Sequence, residues 1–325
     1  MTKFLFAACA VLSLAMPSSA QRVYPLPTTS KVIRTADVYM RGLKDEDFPR
    51  FTKLAPNVYV YQCFQMMPNL EHSFITNVLV VVTKEGVLLG DALETADAVH
   101  AMIADIARIT PQPIKYVVIG ADHIDHTSGD PAFPSSVTFI SHPTSKATLE
   151  KRAAVNAKIP GALTVVIPTE MVSDKKVLTM GGTEIQILHL GRAHTGGDLT
   201  VFLPKENIVF MSESFFNHMF PSMATGYPSE WAAALKKAEA MNAAYYVPGH
   251  GFIDSAQVEK EELVEFRKSV ETIVSEGHRL HDAKVPVEDA PRVSVLGPYN
   301  YFTRSAQNYF DCLRRVYMEA DGLLK

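Results

Sequence analysis

Apolar residues fall in two rhythms along this chain. Short runs rich in β-branched and aromatic side chains occupy 58–61, 73–82, 87–91, 114–119 and 137–141, then 164–167, 176–178, 184–188, 199–203, 208–210 and 245–247. Bounded by Gly, Pro, Asn or Asp, such runs predict strands. Between them the spacing is helical: Ala98, Met102, Ile103, Ile106 and Ile109 predict a helix over 94–109, and further helices are expected over 143–156, 229–242, 256–281 and from about 305. Ser229, with Glu230 in the first turn, is the expected cap of its helix, and Gly181-Gly182 marks a hairpin turn. Strand, helix, strand in this order gives a layered α/β arrangement. Residues 21–50 show no clear period and read as a surface extension with one short helix near 36–42. The long connection 62–72 carries Met66, Met67 and His72, which suit an adaptable apolar lid or, equally, packing on the domain's edge.

Composition narrows the class. With 47% apolar and 20% charged residues the chain is globular rather than disordered or membrane-embedded. A net charge of −4 and no basic run give nucleic acid no electrostatic footprint, so a small neutral or weakly charged substrate fits better. Lys3, the apolar stretch 4–16 and Ser18-Ser19-Ala20 read as a signal peptide over 1–20, cleaved near Ala20-Gln21, which predicts a periplasmic or secreted protein. No later run approaches the roughly 20 apolar residues of a membrane span. Residues 21–325 then read as one domain, with an N-terminal extension (21–56) and a C-terminal helical tail (256–325). Cys63 and Cys312 permit a disulfide in an oxidising compartment without requiring one. The oligomeric state is not legible.

The chemistry concentrates where strands end. After 114–119 comes Gly120-Ala121-Asp122-His123-Ile124-Asp125-His126, with His123, Asp125 and His126 crowded into one turn. Imidazole nitrogen and carboxylate oxygen both suit zinc or a similar first-row metal. Three later strand ends each present one more metal-competent residue: His194 in Gly191-Arg192-Ala193-His194-Thr195-Gly196-Gly197-Asp198, Glu213 in Met211-Ser212-Glu213-Ser214, and His250 in Pro248-Gly249-His250-Gly251. Glycine beside most of them permits the tight turns such ligand loops need. His218, after the Glu213 strand, Tyr227 and the lid residues Met66, Met67 and His72 are candidates for the pocket wall, though core packing explains Tyr227 as well.

This order of motifs, from about 57 to 251, resembles the metallo-β-lactamase superfamily. The resemblance implies an αββα four-layer sandwich, two mixed β-sheets flanked by helices, within the α/β (α+β) class. It implies a first metal position formed by residue 121, His123 and His194, and a second formed by Asp125, His126 and His250, with residue 213 bridging. Asp91 becomes a buried structural acid behind the site. Two positions depart from the pattern: Ala121 stands in place of the first histidine, and Glu213 in place of an aspartate. Alanine cannot ligate. Three readings follow: one metal at the second position, which the ligand count favours; two metals, with Glu213 or Asp122 making up the loss; or a pocket without chemistry. Zinc is the expected ion, with iron or manganese left open. Zinc lowers the pKa of bound water from about 15.7 to about 7, giving hydroxide at neutral pH. Asp125 is then both ligand and water-orienting group, and His123 and His194 are ligands or proton carriers. The implied activity is an exported metal-dependent hydrolase acting through metal-bound hydroxide on an ester, lactone or amide bond of a small molecule. The superfamily also cleaves β-lactams, thioesters, phosphoesters and sulfate esters, and Ala121 supports a competing class, a non-catalytic or metal-impaired binding protein.

Overall fold

A computed structural model of the chain describes residues 22–65 and 74–324. The first sheet holds eight strands in chain order: β1 (Val23–Pro25), β2 (Arg50–Ala55), β3 (Val58–Gln65), β4 (Phe74–Thr83), β5 (Gly86–Gly90), β6 (Ile114–Val118), β7 (Thr138–Ser141) and β8 (Glu170–Met171). From β2 to β5 neighbours run antiparallel; from β5 to β8 they run parallel. The change has a cause in the chain: α1 (Ala96–Ile109), the single turn α2 (Ile124–Thr127) and α3 (Pro143–Asn156) fall between the later strands, and parallel neighbours need such crossovers. The second sheet contains β9 (Lys175–Met180), β10 (Thr183–Leu188), β11 (Thr200–Leu203), β12 (Ile208–Phe210) and β13 (Tyr245–Val247), ordered β13-β12-β11-β10-β9. Only β12 and β13 pair in parallel, across α4 (Pro228–Ala240). The chain continues through α5 (Ala256–Asp282), α6 (Ala290–Val293) and α7 (Ser305–Ala320).

Alternation sorts the side chains into layers. Val58, Val60, Leu79 and Val81 face the second sheet and pack with Ile185, Ile187, Val201, Phe210 and Val247. Their neighbours Tyr59, Tyr61, Val78 and Val80 face outward onto Val99, Met102 and Ile106 of α1 and Leu149 of α3. On the far side, Val209 and Tyr246 pack under Trp231 and Leu235 of α4, Phe266, Val270 and Ile273 of α5, and Val316 of α7. The result is helices, sheet, sheet, helices: the expected αββα sandwich of two mixed sheets. Trp231 is fully buried, and its indole N–H donates to the Ser214 carbonyl at 2.9 Å, so its polar edge carries no penalty.

Several local expectations are corrected. Residues 36–42 form turns rather than a helix. The segment 21–50 is more than a surface extension, because Val23–Pro25 pairs in parallel with β2. Residues 164–167 are β-rich yet join no ladder; Val165, Val166 and Ile167 instead lie against the outer apolar layer of the first sheet. The cap of α4 is Tyr227 with Pro228 in the first turn, while the Ser229 hydroxyl reaches across to Glu319 at 2.6 Å. Proline at the first helical position sets the start, since its missing N–H would be unpaired there anyway. Cys63 and Cys312 are both free thiols. The signal segment 1–20 and the lid residues Met66, Met67 and His72 lie outside the described residues.

Candidate metal centre

The strands that feed the polar turns all end on the same side. β10 and β12 each run antiparallel to β11, and β13 runs parallel to β12, so their C-terminal ends coincide. β5 and β6, parallel to each other, bring Asp91 and the 120–126 turn to the same edge. Backbone bonds stitch the sheets together there. Leu199 N–H donates to the Gly120 carbonyl at 2.9 Å, and Asn77 N–H to the Gly249 carbonyl at 2.8 Å. The Asn77 amide also donates to the Pro248 and Gly251 carbonyls, at 3.1 and 3.0 Å, gripping the His250 turn on both sides. Gly249 is required here: a Cβ would lie 2.4 Å from the Ser212 carbonyl group.

Asp91 is the hub behind these turns. Fully buried, it takes a left-handed backbone (φ 67°) and accepts from Gly120 N–H at 2.6 Å and from the Ser212 hydroxyl at 2.5 Å. Ser212 is itself left-handed (φ 48°), which turns the chain sharply just before Glu213. Two such residues joined by a hydrogen bond are strain held in place by the surroundings, a feature that concentrates at functional sites.

Among the described residues, two groups of ligand-type atoms converge: Asp125, His126, Glu213 and His250, and His123, His194 and Glu213. In the first group the Nε2 atoms of His126 and His250 face each other at 3.1 Å, with Asp125 Oδ2 3.5 and 3.3 Å from them and Glu213 Oε1 3.7 and 3.3 Å away. In the second, His194 Nε2 lies 2.8 Å from His123 Nδ1 and 3.0 Å from Glu213 Oε1, and His123 Nδ1 is 3.0 Å from Glu213 Oε2. Glu213 thus belongs to both.

The far side of most of these rings is held. His250 Nδ1 donates to the Ile75 carbonyl at 3.1 Å, which leaves Nε2 as the lone-pair nitrogen of the neutral ring. His126 Nδ1 sits 3.0 Å from Asp91 Oδ2, at ion-pair distance though not aligned for a hydrogen bond. Thr225 spends its hydroxyl proton on the His194 carbonyl at 3.2 Å and so accepts from His123 Nε2–H at 2.8 Å, turning Nδ1 of that ring inward. Backing of this kind fixes tautomer and orientation in metal-ligating histidines. Among the described residues His194 Nδ1 has no hydrogen-bond partner; its ring is wedged between Phe216 and Trp231.

Electrostatics point the same way. Burial would raise the Glu213 carboxyl, yet His194, His123 and His126 hold it well below the usual carboxylate range. Burial would lower His126, but the charges of Asp125, Asp91 and Glu213 push it up to about 10; His123 is pushed up to about 9 by Glu213 against its burial. His194 falls below its ordinary value because burial dominates there. A buried field that draws protons onto imidazoles this strongly also attracts a cation. The donor set, imidazole and carboxylate converging on one point, suits a first-row metal.

The site residues expected from the sequence are therefore placed unevenly. His123, Asp125, His126, His194, Glu213 and His250 come together. Ala121 is fully buried, and Asp122, the proposed substitute, is absent from both groups; it pairs with Ser145 instead. Two pocket residues are corrected. His218 faces a separate cavity, with Nδ1 3.1 Å from Glu262 and its ring against Phe302. Tyr227 stacks between Arg192 and Arg315 behind the His194 turn. The metal cavity, about 130 Å³, is walled by Phe74, Phe216, Met219, Ser222, Arg304 and Asn308. Sequence reading missed these. Phe216 and Met219 follow Glu213 closely and could have been flagged by that position; nothing local marks Arg304.

Comparison with known proteins agrees with the geometry. The family model described as the metallo-beta-lactamase superfamily matches residues 73–250. The chain belongs to this superfamily. Within the metallo-β-lactamase superfamily it is 24% identical over 223 residues to the linear primary-alkylsulfatase of Pseudomonas sp. (strain ATCC 19151), covering 55% of this chain and 42% of that protein. It is 25% identical over 166 residues to metallo-beta-lactamase IND-1 of Chryseobacterium indologenes, covering 50% of this chain and 64% of that one. The chain thus spans less than two thirds of the length of either relative. Among solved structures, a metallo-beta-lactamase from Pontibacter korlensis superposes with a TM-score of 0.57 at 19% identity, over 67% of this chain and 98% of that one. Membership, with relatives that are hydrolases, supports a metallo-hydrolase.

Proposed function

We propose that this chain is an exported metal-dependent hydrolase that cleaves an ester, lactone or amide bond in a small molecule. The observation that carries the proposal is the facing of His126 Nε2 and His250 Nε2 at 3.1 Å beside Asp125 and Glu213, with the second nitrogen of each ring turned to Asp91 or to the Ile75 carbonyl. Asp125, His126, His250 and Glu213 would hold one ion; His123, His194 and Glu213 a second. Zinc or a similar ion bound there supplies Lewis acidity and a water nucleophile at neutral pH. The chain's own residues do the rest. Asp125 Oδ2, between the two imidazoles and the cavity, orients water and accepts its proton. When the position it shares with His194 holds no ion, His123, which keeps 28% of its side-chain surface open, is the ring at the rim that passes a proton to solvent. Phe74, Phe216 and Met219 exclude bulk water from the reacting face. Export is supported by the apolar stretch 4–16 and the small residues that follow it. No helix of the described residues is long and apolar enough to cross a membrane.

A sulfate ester is the second reading, favoured by the likeness to an alkylsulfatase. The test is elemental analysis of the purified chain after zinc loading, with turnover of a panel of esters, lactones, amides and alkyl sulfates before and after chelation. At least one metal per chain and chelator-sensitive hydrolysis are expected. A chain that takes up no zinc and turns over nothing overturns the proposal.

A further inference from the structure

Among the described residues, Arg304 is a cation that pairs with no carboxylate. It lines the metal cavity with Asp125, His123 and Glu213, yet among the described residues no acidic group lies within ion-pair reach of its guanidinium and no hydrogen bond to it is made. Burial disfavours its charge, and Asp125 is the one group that opposes this. Among the described residues its one ring contact is the face of Phe74, which recovers only part of the hydration that a half-buried guanidinium loses.

The chain nevertheless holds it there. Arg304 takes a left-handed backbone (φ 69°), a costly conformation for a non-glycine residue, at the start of α7. Thr303, next to it, is pinned from two sides: its carbonyl accepts from Phe220 N–H at 2.8 Å, and its hydroxyl accepts from Ala36 N–H at 3.0 Å. The guanidinium lies over the Phe74 ring, 5.1 Å from its centre, and the same ring meets His250 edge-on at 4.8 Å. Phe74 therefore sets the distance between the cation and the Asp125 cluster. Asn308, one turn along α7, adds an amide on the same wall, anchored to the Phe220 carbonyl at 3.3 Å. Phe216 and Met219, both apolar, line the same cavity.

We propose that Arg304 is the anion-recognition residue of this site, which selects substrates carrying a carboxylate, sulfate or phosphate group on an apolar body. The reasoning is complementary charge: a planar guanidinium whose donors meet no acceptor among the described residues matches an oxyanion in two-pronged fashion, and such charge-assisted bonds are the strong ones. The cavity, at about 130 Å³, is well below the roughly 300–1,000 Å³ of a drug-sized pocket, so it accepts the head group while the body lies along the apolar wall. Arg304 lies beyond residues 73–250, so the selection is a property of this chain's tail rather than of the matched segment. The inference rests on the cavity being the hydrolase's substrate site.

The test uses the zinc-loaded full chain and calorimetric binding of hexanesulfonate, hexylphosphonate and hexanoate, which separates the three oxyanions. Arg304→Asn removes the charge with a residue that tolerates the left-handed backbone; Arg304→Lys keeps the charge. Wild type should bind at least one probe, Arg304→Asn should weaken it about 10- to 100-fold, and Arg304→Lys should restore part of the loss. In parallel, the ratio of kcat/KM for mono-4-nitrophenyl succinate over neutral 4-nitrophenyl acetate should fall by a similar factor in Arg304→Asn. Probe binding that depends on Arg304 in a chain that hydrolyses nothing supports the inference and refutes the hydrolase reading. Hydrolysis with an unchanged ratio refutes the inference and leaves the hydrolase standing. Failure of wild type to bind any of the three probes also overturns it.

Discussion

The two ligand groups that share Glu213 are built to different standards. The group of Asp125, His126 and His250 is buried throughout, backed by Asp91 on one ring and a main-chain carbonyl on the other. The group of His123 and His194 has one ring at the rim, steadied by the exposed hydroxyl of Thr225, one nitrogen with no hydrogen-bond partner among the described residues, and an alanine at the position where the family resemblance expects a third histidine. Both still reach Glu213, at 3.0 to 3.7 Å. The difference teaches that the two groups are supported independently, because the buried one is held by Asp91 and the Ile75 carbonyl rather than by its neighbour; on the proposed assignment, with residue 121 as an absent ligand, the buried group is the complete position and the other the damaged one.

The largest effect should come from breaking the complete position. His126→Ala removes a ligand whose Nε2 faces that of His250, and should abolish stoichiometric metal at this position and cut turnover by well over about 100-fold, more than the 10- to 100-fold typical of a residue that only supports a ligand. Elemental analysis and steady-state rates on one preparation check both. Metal uptake should also follow pH. His126 and His123 are held protonated up to about 10 and about 9, so at neutral pH a metal must displace their protons. Affinity should therefore strengthen as pH rises from 6 to 8 and weaken as it falls, by about tenfold per pH unit for each proton displaced. Competition with a chelator measures it, and a flat profile would mean the rings are already neutral. Next in size is Asp91→Asn. Asparagine tolerates the left-handed backbone and keeps the shape, but removes the charge behind His126, and should weaken metal binding about 10- to 100-fold.

Ala121→His tests the damaged position from the other direction. If residue 121 is the missing ligand, the damaged position should hold its ion more tightly, so that the metal retained after dialysis rises toward two ions per chain, measured by elemental analysis. Ala121 is fully buried, so the larger ring should also cost about 1–3 kcal/mol of stability, read as a lower unfolding midpoint. Unchanged metal content in a folded variant would show that Glu213 already completes the position.

The ligand turns were legible because their signal is local: glycine and a metal-competent residue directly after a β-rich run. The sandwich was legible in part, since Val58 and Val60 alternate with Tyr59 and Tyr61 as a half-buried strand should. What failed depended on partners distant in the chain. Val23–Pro25 is a strand only because Phe51 and its neighbours lie beside it, and 164–167 is not one because its apolar side chains are spent against the outer layer of the first sheet. His218 sits five residues after Glu213 and Tyr227 just before a helix, yet Glu262 claims the first and arginines the second. Arg304 is brought to the cavity by the packing of Thr303 against Phe220 and Ala36, which no periodicity near residue 304 reports.

Thr225→Val is the mildest change and the most selective. Its hydroxyl accepts from His123 Nε2 and donates to the His194 carbonyl, so it touches only the damaged position. Valine keeps the volume and removes both bonds, at an exposed residue where water can replace them, so stability should shift by no more than about 0.5–1.5 kcal/mol. His123 is then free to turn and take the other tautomer. The complete position, held by Asp91 and Ile75, has no contact with this hydroxyl and should load as before. Metal titration should therefore show the weaker of two binding steps lowered by a few-fold, with the tighter one unmoved. An equal loss in both steps would mean that Glu213 couples the positions so closely that they act as one site.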